Sequence, residues 1–279
     1  MNAFRIVLIA VLFAATNYRI WMDLKEYFLP NWELGYVPTA TTTPPARDCL
    51  VVYHIPKTGG TSLGSLLIQV EKALGWEYDA SWYNHYERFG NATPRTDYTH
   101  EAIHAGHFTG QFASLTHTEH CYAMTILRKP VDRVISAFYY HKHRTPEWEA
   151  CLDNDRKCRH AFQYHNDMTR QLSNQTETWN TYDEDVFGLL SPDETSLEAA
   201  KSFLSTMDLV CFLDEFDQCC ERLMDLLQVE GLRIPPKRNA NRARPQELNA
   251  TIMERIQYNN QLDAQLYEWA ERQFRITAD

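Results

Sequence analysis

Residues 54–64 read His54-Ile55-Pro56-Lys57-Thr58-Gly59-Gly60-Thr61-Ser62-Leu63-Gly64, between the apolar run Cys49-Leu50-Val51-Val52-Tyr53 and a helix-like stretch from Thr61 to Leu74. A strand, a glycine turn and a helix start together make an anion cradle. Gly59 and Gly60 tolerate positive φ and let backbone amides close on a phosphate, while Thr61 and Ser62 are suited to cap a helix whose dipole favours that charge. Lys57 adds a mobile cation. A nucleotide-triphosphatase loop needs its lysine after the last glycine, as in G-x-x-x-x-G-K-[ST], whereas Lys57 precedes the glycine pair. The segment reads as a phosphate loop of a different kind.

A second anion-binding element follows the strand-like run Cys121-Tyr122-Ala123-Met124-Thr125-Ile126-Leu127. Arg128 ends that run, and Lys129-Pro130-Val131-Asp132-Arg133-Val134-Ile135-Ser136 follows. Pro130 suits the first turn of a helix, and Val131, Val134, Ile135 and Phe138 recur at helical spacing as the buried stripe. Ser136 lies off that stripe. Arg133 is expected to share its face, with the Arg128 guanidinium forking onto the same phosphate.

Both elements resemble those of the membrane-bound carbohydrate sulfotransferases, above all the heparan sulfate 2-O- and 6-O-enzymes, which use 3′-phosphoadenosine 5′-phosphosulfate (PAPS). The resemblance runs from about Cys49 to Phe274. It implies that Lys57, Thr58, Gly59, Gly60, Thr61 and Ser62 hold the 5′-phosphosulfate. Arg128 and Ser136, eight positions apart as in that family, hold the 3′-phosphate. The loop between Pro235 and Pro245 falls where the family folds over the nucleotide, which makes Arg238 a donor contact.

An acceptor hydroxyl needs a base, and an imidazole suits that task near neutral pH. In His104-Ala105-Gly106-His107-Phe108, His107 matches the family base by position, while Ala105 stands where the 2-O-enzymes carry the first His of His-Gly-His. His141 and Trp148 keep the spacing of two acceptor-binding residues of the 6-O-enzymes, displaced by one position relative to Ser136. Asn166 to Ser173 resembles a helix lining the acceptor cleft, with Arg170 as its contact. The implied reaction is an in-line sulfuryl transfer: His107 takes the proton, and Lys57 with the loop amides stabilises charge on the departing nucleotide. No metal is required, and no cysteine or histidine spacing suggests zinc.

The chain has 279 residues, 44% hydrophobic and 13% aromatic, enough for one catalytic domain behind a short leader. Its net charge of -10 argues against nucleic acid and against bulk attraction to anionic membranes. Two basic patches stand out, His141-Lys142-His143-Arg144 and Lys237-Arg238 through Arg242 and Arg244. Arg5 and the apolar stretch from Ile6 lead into a mixed Thr16 to Met22; as a helix, Ile6 to Met22 spans roughly 25 Å, just under the ~27 Å core of an endoplasmic reticulum bilayer. Residues 1–29 therefore read as a signal-anchor or a cleaved signal peptide, and the Pro- and Thr-rich 30–48 as a stem. The catalytic domain is expected over 49–279, luminal in a Golgi membrane or secreted.

Cys151 and Cys158 bracket a polar loop where the 2-O-enzymes carry a local disulfide. Cys121 and Cys211 sit in strand-like runs and read as buried thiols, while Cys219-Cys220 are adjacent on a helix and do not readily bond each other. Sequons at Asn91, Asn174 and Asn249 fit a luminal glycoprotein.

The fold expected is α/β: a parallel sheet resembling that of P-loop kinases, with strands near Cys49, His100, Cys121 and Leu209 and helices on both faces. Helices are also expected from Glu215 to Gln228, Pro245 to Gln257 and Gln261 to Phe274. The acceptor implied is a glycan polysaccharide. Two other functional classes stay open, a P-loop kinase and a non-catalytic glycan- or nucleotide-binding relative.

Overall fold

The computed structural model describes residues 39–40, 45–79, 102–107, 119–141, 147–153, 164–173, 192–236 and 248–275. Five parallel strands form the central sheet: β2 (Cys49–Tyr53), β3 (Glu77–Asp79), β4 (Ala102–Gly106), β5 (Tyr122–Leu127) and β6 (Leu209–Phe212), in the order β3-β4-β2-β5-β6. All five residues of β2 are buried, as are those of β4, which is what a strand covered on both faces requires. Beside the sheet, β1 (Thr39–Ala40) pairs antiparallel with β7 (Val229–Glu230).

Helices cover both faces of the sheet with apolar stripes. On one face, Leu63, Leu66, Leu67 and Val70 of α1 (Gly60–Leu74) pack against Leu50, Val52, Ile103 and Met124. The other face is covered by α4 (Asp167–Leu172), α5 (Glu194–Leu204) and α8 (Gln261–Phe274), whose Met168, Leu197, Leu204 and Leu266 meet Val51, Tyr53 and Val210. α6 (Phe216–Leu226) joins the first group. A third cluster forms where α2 (Pro130–His141), α3 (Trp148–Leu152) and α7 (Ala250–Asn259) meet. The expected α/β architecture is thus the observed one, a P-loop-kinase-like parallel sheet with helices on both faces. The edge strand β3 and the helices α3 and α5 come in addition. The third cluster's α7 begins at Ala250, with Asn249 as its cap accepting from the Thr251 amide at 2.8 Å. Asn91 and Asn174 lie outside the described residues, as do residues 1–38; among those described, no helix is long and apolar enough to cross a membrane.

Two cysteine readings are corrected. Cys121 is bonded to Cys49, and Cys211 to Cys219. The first pair follows from register: Leu50 sits opposite Tyr122, so the residues one step earlier on two neighbouring chains lie side by side, 4.8 Å apart at Cα. The second joins β6 to the helix that packs back on it. Cys151 is also disulfide-bonded, while Cys158 lies outside the described residues. Among the described residues, buried Cys220 is the free thiol.

The 72-residue separation of Cys49 and Cys121 makes theirs the pair with the larger entropic effect; replacing both by Ala is expected to remove about 4 kcal/mol of stability. Urea unfolding of the double variant under non-reducing conditions measures it.

Candidate active site

The phosphate loop leaves the C-terminal end of β2. Ladder pairing continues one residue beyond the strand, with the His54 amide donating to Gly106 O at 2.8 Å. The chain then turns sharply: Lys57 has φ 72 and Gly59 φ 96, both left-handed. Both glycines can take positive φ, but only Gly59 does: Gly60 is already the first helical residue, and a lysine takes the second left-handed position. Thr61 and Ser62 do not cap α1 with their side chains. Gly59 is the N-cap, and its carbonyl accepts from the amides of Ser62 (3.0 Å) and Leu63 (3.1 Å). At such a helix N-terminus the dipole favours an anion.

Gly59 is disfavoured for any larger residue chiefly by its left-handed backbone. A Cβ there would lie 2.5 Å from Leu213 Cδ1, in a backbone conformation that L side chains rarely adopt. Thr58 is fully buried, and its hydroxyl donates to Ile55 O at 2.9 Å, so it braces the turn from within. Ser62 donates to Pro236 O at 3.2 Å, tying α1 to the segment that leads towards Arg238. Arg238 itself lies outside the described residues.

Two neighbouring strands deliver their own residues to this loop. Arg128, just past β5, donates to the Lys57 carbonyl at 2.9 Å. His107, just past β4, has its Nδ1 at 2.9 Å from the His54 carbonyl. A carbonyl only accepts, so Nδ1 carries the hydrogen and Nε2 keeps its lone pair. The two imidazoles lie with ring centres 4.8 Å apart, tilted by 34°. Burial pulls the His107 pKa down to about 4, against the opposing effect of the His54 carbonyl and with the help of Lys57. His54 is held well below its usual value by burial, then by His107 and Lys57. Burial and the Arg128 charge bring Lys57 down to about 8. The pocket thus holds a neutral imidazole of fixed tautomer beside a lysine whose proton is easily lost.

Ser136 is half-buried on α2, while Arg133 is not its companion. Arg133 is fully buried, with Nη1 at 3.1 Å from Asp167 Oδ2 and Nη2 at 3.8 Å from Asp263 Oδ2. Asp263 also accepts from the Thr169 amide (2.7 Å), the Thr169 hydroxyl (2.8 Å) and the Met168 amide (3.1 Å). Burial raises the Asp263 pKa, opposed by Arg133 and these bonds. Two carboxylates from α4 and α8 have drawn in the guanidinium that the helical period alone placed beside Ser136.

Trp148 is buried and stacked on Phe138, with ring centres 3.7 Å apart. Arg170 is buried too, donating to His165 O at 2.7 Å and lying 3.6 Å from Asp167. Both side chains are engaged within the fold. His141 ends α2, and its side chain lies outside what is described.

Gln171 was missed by sequence reading. Its Nε2 donates to the His54 carbonyl at 2.9 Å, the acceptor that also orients His107. The signal was only a polar residue in the stretch from Asn166 to Ser173, with nothing local to say which atom it meets.

The Sulfotransferase family matches the chain over residues 45–270. Among solved structures, a sulfotransferase from Alicyclobacillus acidocaldarius is similar over 83% of this chain and 97% of its own, at 14% identity and a TM-score of 0.49. Mouse sulfotransferase SULT7A1, complexed with PAP, is similar over 78% of this chain and 66% of its own, at 15% identity and a TM-score of 0.36. No curated protein matches by sequence.

Gly59→Ala is expected to lose about 1–3 kcal/mol of stability through its backbone strain alone. Adding Leu213→Ala removes the steric clash but leaves that strain, so thermal unfolding of the double variant should recover only part of the loss, after correction for Leu213→Ala alone.

Proposed function

The chain belongs to the sulfotransferase family, and from that membership we propose that it transfers a sulfuryl group from PAPS to a glycan hydroxyl, with a glycosaminoglycan such as heparan sulfate as acceptor. The observation that carries this reading is His107, its Nδ1 committed to the His54 carbonyl and its Nε2 the unprotonated nitrogen, beside Lys57 at the phosphate loop. The acceptor class rests on the resemblance to the heparan sulfate 2-O- and 6-O-enzymes.

The residues fit such a donor. The left-handed turn at Gly59 disfavours any side chain, and two cations from adjacent strand ends, Lys57 and Arg128, lie beside it. PAPS, when bound, supplies the activated sulfuryl group and the nucleotide leaving group. We assign the phosphosulfate cradle to the turn from Thr58 to Ser62 with the Lys57 ammonium. Arg128 and Ser136 take the 3′-phosphate, and Arg238 is assigned to the donor on the resemblance alone. His107 removes the acceptor proton through Nε2. Lys57 stabilises negative charge on the leaving side. His141 is the direct acceptor contact, with Trp148 and Arg170 shaping that side by packing. None of these roles calls for a metal.

We place the enzyme in the Golgi lumen, with residues 1–29 as anchor or signal peptide and 30–48 as stem. The Cys49–Cys121 and Cys211–Cys219 bonds support an oxidising compartment.

Labelled sulfate transfer from PAPS to desulfated heparan, chondroitin, dermatan and neutral glycans tests the reading. Lys57→Ala and His107→Ala should each lose at least about 100-fold in turnover. Magnesium-dependent ATP turnover, or donor binding without transfer to any acceptor, would overturn it.

The two shifted groups fix a pH profile. His107 acts without its added proton and Lys57 acts with its own, so kcat/KM rises as pH climbs through about 4 and falls as it climbs through about 8. Lys57→Arg should move the falling limb upward, because a guanidinium keeps its charge. An unmoved limb would detach it from Lys57.

A further inference from the structure

We propose that Tyr140 is a positioning residue for the transfer, its ring face holding the Lys57 ammonium where the donor needs it; this rests on the sulfotransferase reading above. Lys57 Nζ lies 3.5 Å from the centre of the Tyr140 ring. At the other end of the same residue, Arg128 donates to the Lys57 carbonyl at 2.9 Å. The lysine is therefore gripped at its backbone and at its tip. Tyr140 stands one turn beyond Ser136 on α2, so the two share a helical face. A single helix thus presents a hydroxyl to one end of the donor and an aromatic ring to the lysine at the other.

The ring answers a specific electrostatic need. Among the described residues, the groups electrostatically coupled to Lys57 are Arg128, His54 and His107, each positive or neutral. A carboxylate placed against the ammonium would hold it, yet would also repel an anionic donor and compete with it for the cation. The face of an aromatic ring attracts a cation without bringing net negative charge. Tyr140 is 47% exposed, whereas Phe138 and Tyr139 before it are buried in the third cluster, so core packing does not account for it.

Two variants separate the ring from its hydroxyl, Tyr140→Phe and Tyr140→Leu. The first measurement needs no donor: the titration of Lys57, followed by NMR of ¹³C-methylated lysines and assigned by loss of its signal in Lys57→Arg. Without the ring, in Tyr140→Leu, the titration should move down by roughly one pH unit and kcat should fall about tenfold, with an unchanged melting temperature. Tyr140→Phe, which restores the ring, should bring both back towards the wild-type values. Wild-type titration and turnover in Tyr140→Leu would overturn the proposal, as would equal losses in both variants. Failure of the enzyme reading is distinguishable: the wild type would then transfer no sulfate, while the Lys57 titration would still report the grip.

Discussion

The parallel register of β2 with its two neighbours is the constraint on which the site depends. Tyr53 sits opposite Gly106 on one side and Thr125 on the other, and the Thr125 hydroxyl donates to Tyr53 O at 2.7 Å inside the core. β2 and β4 end at that line and bring His54 with the phosphate loop and His107, while β5 runs two residues further and brings Arg128. A slip of one residue in either pairing would turn buried side chains to the wrong face and carry His107 or Arg128 away from the loop. The Cys49–Cys121 bond pins the opposite end of the β2–β5 pair. Register and chemistry are therefore coupled through the strands.

Within the site, the His54 carbonyl is a shared anchor. It accepts from both His107 and Gln171, so a residue of α4 and a residue after β4 are oriented by one atom of the phosphate loop's own chain. α4 is in turn held by the buried pairing of Arg133 with Asp167 and Asp263. Breaking such a pair by removing one partner would strand a buried charge, which costs several kcal/mol. The same network fixes α2, the helix that carries Ser136 and Tyr140. A cluster far from solvent thus sets the positions of groups at both ends of the candidate donor site.

Much of the fold was legible because its signals are local. Apolar runs around Cys49, Cys121 and Leu209 are strands buried on both faces, and the glycine turn between β2 and α1 needs no distant partner to be recognised. The helix α5 left a readable signal that was passed over: Asp193 and Ser196 form a reciprocal cap ahead of Leu197, Ala200 and Leu204 at helical spacing. What escaped depends on pairing across the chain. Helical periodicity put Arg133 beside Ser136, since it cannot register two carboxylates more than thirty residues downstream. The partnership of Cys49 with Cys121 follows from strand register, and Gln171 acquires its place only when α4 docks under the loop. Likewise Trp148 and Arg170 carry side chains suited to ligands, and the fold draws both inward.

The central claim is that one pocket grips a nucleotide at two ends, on the glycine turn with Lys57 and on Arg128 with Ser136. Calorimetry of adenosine 3′,5′-bisphosphate against AMP tests it most directly, in the wild type and in Arg128→Ala. Charge-assisted bonds to the 3′-phosphate should make the bisphosphate bind at least about 100-fold more tightly, and most of that preference should vanish in the variant. Equal affinities for the two nucleotides in the wild-type protein would contradict the account.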